Sequence, residues 1–207
     1  MLRPFCAAAV VLMTGPTVSV AAGQEWTAAE KACARSIGVQ LGRMEAFYGD
    51  MQFRQRSWYA DAIVIGVVVR KWNELRGGYH TMVEVEVKEV LKGDLDRSSV
   101  IVALVSGPFY DTRTREIMTI WRSEEPRFSL DEKVLLFLTR KPGAQPDPPP
   151  PSGRYRVMGR GKYVVEDGEV FWGEFKSESF PLDWVRREIE LAVRAQASGC
   201  KPGGEEN

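Results

Sequence analysis

Residues 79–93 read Tyr-His-Thr-Met-Val-Glu-Val-Glu-Val-Lys-Glu-Val-Leu-Lys-Gly. Val83, Val85 and Val87 alternate with Glu84, Glu86 and Lys88. An extended chain turns successive side chains to opposite sides, so it sorts this pattern into one apolar face and one charged face. The stretch is read as a half-buried antiparallel strand. Just upstream, residues 62–69 are almost wholly apolar and β-branched, as a strand covered on both faces requires. Together the two segments predict a long hairpin at the heart of a β-barrel or sandwich.

The first strand of that hairpin is expected over 58–71, and further strands at 99–105 and 133–138, the last very apolar and therefore central. Residues 155–166 form one bulged strand or two, because Gly159 and Gly161 interrupt them. Asp167-Gly168 signals a tight hairpin into residues 169–173. A long connection runs over 109–130, with a short strand at 117–121. Residues 142–153 carry four consecutive prolines and are read as an extended surface spacer. Thr27 and Glu30 form a capping box for a helix over 28–36. Leu182, Val185, Ile189 and Val193 recur at helical spacing after Pro181. Residues 51–57 read as a polar link. The expected architecture is mainly β: a small closed or partly open antiparallel barrel with flanking N- and C-terminal helices.

The first 22 residues look like a signal peptide: Arg3, an apolar run from Phe5 to Met13, a Gly15-Pro16 break, and Val20-Ala21-Ala22 for cleavage. The run is too short to span a bilayer as a helix. Residues 23–57 then form a helical arm, 58–175 the barrel, and 176–207 a helix and polar tail. This places the chain in the periplasm or outside the cell. Removing the segment takes Arg3 and no acid, leaving 27 basic residues against 28 acidic ones. That balance offers no electrostatic footprint for nucleic acid. Cys6 leaves with the signal, so Cys33 and Cys200 remain, an even pair suited to a disulfide in an oxidising compartment. Two unpaired thiols are the other reading.

Catalytic parts are sparse. His80 is the one histidine and, by alternation, lies on the charged face as a solvated side chain. Without a cysteine or second histidine near it, no metal site is expected. Ser106 lacks the Gly-x-Ser-x-Gly frame, Asp61 reads as a turn or edge acid, and phosphate loops and dinucleotide fingerprints are missing, so no cofactor is expected.

Two surfaces are candidates for binding. Arg154, Arg156, Arg160 and Lys162 share parity, so on an unbroken strand they share one face. There they grip an anionic ligand or pair with acids such as Glu84 and Glu86. The second is the long connection, where Phe109, Tyr110 and Trp121 interleave with Arg113, Arg115 and Arg122. Aromatic and arginine residues together compose protein-binding patches. Asp111, Glu116, Glu124 and Glu125 balance the charge, which argues against nucleic acid. The same connection also serves as a plain cap on a barrel end.

Three segments carry a family resemblance: Tyr59-Ala-Asp-Ala-Ile-Val-Ile-Gly-Val-Val68, Val85-Glu-Val-Lys-Glu-Val-Leu-Lys-Gly93 and Phe128-Ser-Leu-Asp-Glu-Lys-Val-Leu-Leu-Phe-Leu138. Over about 80 residues the chain resembles the netrin-module and tissue-inhibitor-of-metalloproteinases group, and exported bacterial proteins with the same core. The resemblance implies an oligonucleotide/oligosaccharide-binding type of barrel (OB-fold) with a helix packed on it. It does not carry over the inhibitory chemistry, because Cys33 is followed by Ala34 and Arg35 rather than by a Cys-x-Cys segment. The leading expectation is an exported, non-enzymatic interaction module whose partner is another exported or envelope protein. A protease inhibitor with a divergent contact segment and a small hydrolase are the alternatives.

Overall fold

The computed structural model describes residues 28–37, 53–95, 98–140, 150–172 and 178–198. In chain order the elements are α1 (Ala28–Ser36), α2 (Phe53–Tyr59), β1 (Ala62–Asn73), β2 (Thr81–Lys92), β3 (Ser99–Leu104), β4 (Gly107–Asp111), β5 (Glu116–Ile120), β6 (Lys133–Thr139), β7 (Arg154–Glu166), β8 (Glu169–Trp172), β9 (Glu178–Pro181) and α3 (Leu182–Ala197). The signal segment, the proline run at 148–149, Cys200 and the polar tail lie outside the described residues. No described helix is long and apolar enough to cross a membrane.

Strands β3-β2-β1-β6-β7 close into a five-stranded barrel. Neighbours are antiparallel except at the closure, where β3 runs parallel to β7 through Ile101–Arg154 and Val102–Tyr155. Strands β8 and β9 continue the sheet beyond β7, while β4 and β5 form a separate two-stranded sheet. The alternation read in the sequence is the alternation of the barrel wall. Val64, Val68, Val83, Val85, Val134, Leu136 and Leu138 fill the interior. Ile63, Ile65, Leu135 and Phe137 point outward and are covered by Phe53 of α2 and by Leu182, Val185 and Ile189 of α3. Strands β1 and β6 are thus apolar on both faces because one face meets the lumen and the other meets helices. Each fully buried Leu, Ile or Phe side chain contributes about 1.5–3 kcal/mol.

The wall bends where β1 meets β2. Gly66 sits at a register shift, and a Cβ there would lie 2.5 Å from the Glu86 carbonyl oxygen and 2.6 Å from Val85 Cγ1. Only glycine lets the two backbones approach this closely.

Several expectations are corrected here. Residues 53–59 form a helix, where a polar link and the start of a strand were expected. Phe53 enters a ring cluster with Tyr163 at 5.0 Å, Phe180 at 5.3 Å and Trp184 at 5.7 Å, and Arg54 forks onto Glu188 of α3. These contacts, absent from local sequence, hold the helix. Its Arg56 is buried and donates to the Tyr163 hydroxyl. Burial pushes the guanidinium below its usual range and the phenol above its own. In the long connection the short strand expected at 117–121 is present as β5, and the correction is its partner β4, which was not expected. Strand β9 falls in the segment expected to open the C-terminal helix.

Residues 154–166 are one strand, but a bulged one. Leu136 pairs with Lys162 and Leu138 with Val157, so two steps of β6 face five steps of β7. The three extra residues sit around Gly159, Arg160 and Gly161, and Arg160 has φ 53°, in the left-handed region. An odd insertion exchanges the faces. Tyr155 therefore joins the barrel interior, whereas Tyr163 and Val165 join the helix-facing cluster.

Candidate functional site

That bulge decides the fate of the four cations expected on one face: they are divided between two. Ahead of it, Arg154 sends both guanidinium nitrogens to Glu74, at 2.9 and 2.8 Å. The bond holds the Glu74 carboxyl below the usual carboxylate range. Arg156 stands opposite Thr139 on the same side of the bulge. Beyond it, Lys162 lies 2.7 Å from Glu132, donates to the Arg127 carbonyl at 2.6 Å and sits over the Phe128 ring. Arg160 stacks on Trp172 at 4.8 Å. The acids that take these cations are Glu74 and Glu132. Glu84 is held by Arg70 and Glu86 by Lys88.

The second candidate surface is assembled as a unit. Strands β4 and β5 pair from Gly107–Ile120 to Asp111–Glu116. Asp111 starts the tip, its Oδ1 accepting from Arg113 N–H at 2.8 Å and its carbonyl from Arg115 N–H at 2.8 Å. Arg115 turns the chain with φ 61°. The base is tied across its neck. The Glu125 carboxylate accepts from the Val105 and Ser106 amides at 2.8 and 2.7 Å, and Ser106 Oγ accepts from Arg122 N–H at 3.0 Å. Midway, Tyr110 N–H donates to the Leu75 carbonyl in the β1–β2 loop at 2.9 Å.

Residues paired across an antiparallel ladder share a face. One face of this hairpin carries Phe109, which turns toward the barrel, and its ladder partner Met118, which stays 44 % exposed. There Phe109 packs on His80, ring centroids 5.2 Å apart. His80 is only 5 % exposed, which corrects the expectation of a solvated side chain. Its Nδ1 lies 3.3 Å from the Glu74 carbonyl oxygen, which can only accept, so this nitrogen carries the proton. Gly107, with φ 137°, passes so close that a Cβ would meet Thr81 Oγ1 at 2.4 Å. Alternation assigned His80 to the outer face of β2 correctly; the hairpin then covers that face.

The other hairpin face carries Tyr110 and Ile117, continued by Trp121. They are 39 %, 64 % and 75 % exposed. Arg127 lies over the Trp121 ring at 6.0 Å, and Arg113, well exposed, lies 3.9 Å from Asp111. Of the residues singled out in the connection, Tyr110 and Trp121 share this face, while Arg113 and Arg115 sit in the turn at the hairpin tip. Phe109 instead pins the hairpin to the barrel, and Arg122 closes its neck through its backbone. Ile117 was missed, because only the pairing of β5 with β4 shows which face it occupies.

Among the described residues, no group of three or more His, Cys, Asp or Glu side chains converges as a metal site requires. Asp61 accepts from Thr139 Oγ1 at 2.9 Å and Arg140 N–H at 2.7 Å, an edge acid joining β1 to the end of β6. Compared with known proteins, the chain matches no family model and no curated protein.

Proposed function

We propose that this chain is an exported, non-enzymatic interaction module that binds another exported or envelope protein through the outer face of the β4–β5 hairpin. One observation carries the reading: Tyr110, Ile117 and Trp121 are exposed together on a hairpin whose neck and inner face are firmly anchored. Exposed apolar side chains on a rigid mount cost little ordering entropy when they bind. Arginines beside them add the composition of contact hot spots. Of the two side chains a hydrolase would need, Ser106 accepts at the hairpin neck, and His80 has Nδ1 against the Glu74 carbonyl of the β1–β2 loop and its ring against Phe109.

Export rests on the N-terminal sequence pattern and the even cysteine pair. A Cys33–Cys200 bridge fits the packing: Cys33 lies against the same small cluster as Ala195, five residues before Cys200. The strand order with its parallel closing pair supports an OB-type barrel, and the netrin/tissue-inhibitor kinship rests on the three sequence segments alone.

The test replaces Ile117 and Trp121 by serine. Cross-linking in an envelope fraction or culture supernatant is expected to capture a partner with the native chain and lose it with the variant. Surface changes of this kind keep stability within about 0.5 kcal/mol. Equal capture by both proteins, or capture by neither, would overturn the reading.

A further inference from the structure

The inner edge of the hairpin is spoken for, and its outer edge is not. Tyr110 N–H points away from β5 toward Leu75, so Tyr110 and Ile117 form a non-hydrogen-bonded pair of the ladder. The neighbouring pairs Phe109–Met118 and Gly107–Ile120 are then the bonded ones. Arg122 N–H, which turns back to Ser106, keeps the same parity. It follows that the backbone N–H and C=O groups of Ile117, Thr119 and Trp121 face outward. Among the described residues, β5 has no strand on that side. Proteins usually guard such an edge with proline, lysine or a bulge. Residues 116–122 read Glu-Ile-Met-Thr-Ile-Trp-Arg and contain none of these.

We propose that a second copy of this chain adds to the β5 edge, antiparallel, about a twofold axis at Thr119. The sequence is complementary to itself in this register. Glu116 stands opposite Arg122, Ile117 opposite Trp121, Met118 opposite Ile120, and Thr119 opposite its own counterpart. Every outward residue meets an outward residue, as an antiparallel ladder demands. An isologous contact repeats each pair, so the register contains two Glu–Arg pairs and four apolar pairs. Moving the axis to Met118 sets Glu116 against Ile120 and Arg115 against Trp121, and the charge match is lost. An axis between residues would face outward groups with inward ones. The result is a four-stranded ribbon that doubles the exposed Ile117–Trp121 face. This inference rests on the reading of the hairpin as the contact surface and names a second copy as one of its partners. One strand from each copy makes a small interface, so the association is concentration-dependent rather than permanent.

Sedimentation velocity of the mature chain over a concentration series tests it. The apparent mass is expected to rise toward twice the monomer value. Glu116→Arg alone, or Arg122→Glu alone, is expected to weaken dimerisation by about tenfold or more, and the two together to restore it. Thr119→Pro removes an outward N–H while leaving the β4–β5 ladder intact, and is expected to abolish the dimer with unchanged circular dichroism. A native chain that stays monomeric throughout, or a double reversal no better than the singles, would overturn the inference. Monomeric behaviour combined with loss of partner capture in the Ile117/Trp121 variant would leave the binding reading standing and the dimer refuted. A dimer that captures no partner would do the reverse.

Discussion

Glu125 is the single side chain on which the hairpin mount most depends. Its two carboxylate oxygens each take one backbone amide, from Val105 at 2.8 Å and Ser106 at 2.7 Å. Hydrogen bonds to a charged acceptor contribute about 1.5–3 kcal/mol each where they are dry. The site is half-buried, so water can replace part of the loss in the variant. Glu125→Ala is therefore expected to cost about 2–3 kcal/mol. The loss should fall on hairpin attachment rather than on the barrel, since the barrel ladder reaches only as far as His80 N–H donating to the Leu104 carbonyl. Native-state hydrogen exchange reads this directly. At 1.4 kcal/mol per factor of ten, the Val105, Ser106 and Tyr110 amides should exchange about 30- to 140-fold faster. Amides of β1 and β6 should keep their native rates. Glu125→Gln keeps an acceptor oxygen and should show a smaller effect. Unchanged exchange at Val105 and Ser106, or equal acceleration across the barrel, would refute the argument.

Other outcomes follow from the same geometry. Gly66→Ala should destabilise by about 1–3 kcal/mol, because strain against Glu86 and Val85 outweighs the gain of about 0.4–1 kcal/mol from a stiffer unfolded chain; thermal melting checks it. Arg54→Ala should cost about 2–4 kcal/mol in denaturant titration, since it strands Glu188, whose side chain is 11 % exposed. Arg54→Met with Glu188→Leu should recover most of that loss. Glu74 has its pKa lowered in the fold, chiefly by the Arg154 hydrogen bond, from an ordinary value of 4.5. A depressed carboxylate stabilises above the unfolded pKa and loses that contribution as pH falls through the folded one. Arg154→Gln should thus lower the melting temperature at pH above 4.5 and converge with the native chain in stronger acid. If Cys33 and Cys200 are bridged, mass before and after reduction will differ by two hydrogens, and on the chain-entropy model reduction will cost about 4–5 kcal/mol.

Several elements were legible without coordinates because their patterns are local. Val83 and Val85 alternate with acids, so β2 had to put one face indoors. Ala28–Ser36 and the spacing of Leu182, Val185 and Ile189 mark helices whose apolar stripes need a cover. Asp167-Gly168 marks the turn between β7 and β8, and Asp167 has φ 49° and Gly168 φ 81°, as that tight turn demands. What escaped was held together from a distance. Phe-Arg-Gln-Arg-Ser-Trp-Tyr shows no helical signature until Phe53 meets Tyr163 and Arg54 meets Glu188. Gly107-Pro108 opens β4 with two residues that normally argue against a strand, tolerated because the strand lies outside the barrel.

Sequence alone determined which faces of the regularly patterned strands and helices had to be dry, because alternation along a strand and periodicity along a helix are set by backbone geometry within a few residues. It determined neither what covers each face nor where a ladder slips. Three extra residues in β7 parted the arginines from Lys162. A hairpin folded over the outer face of β2 buried His80. The same packing left Ile117 and Trp121 in water. Those outcomes depend on pairings between segments far apart in the chain, and only the closed structure supplies them.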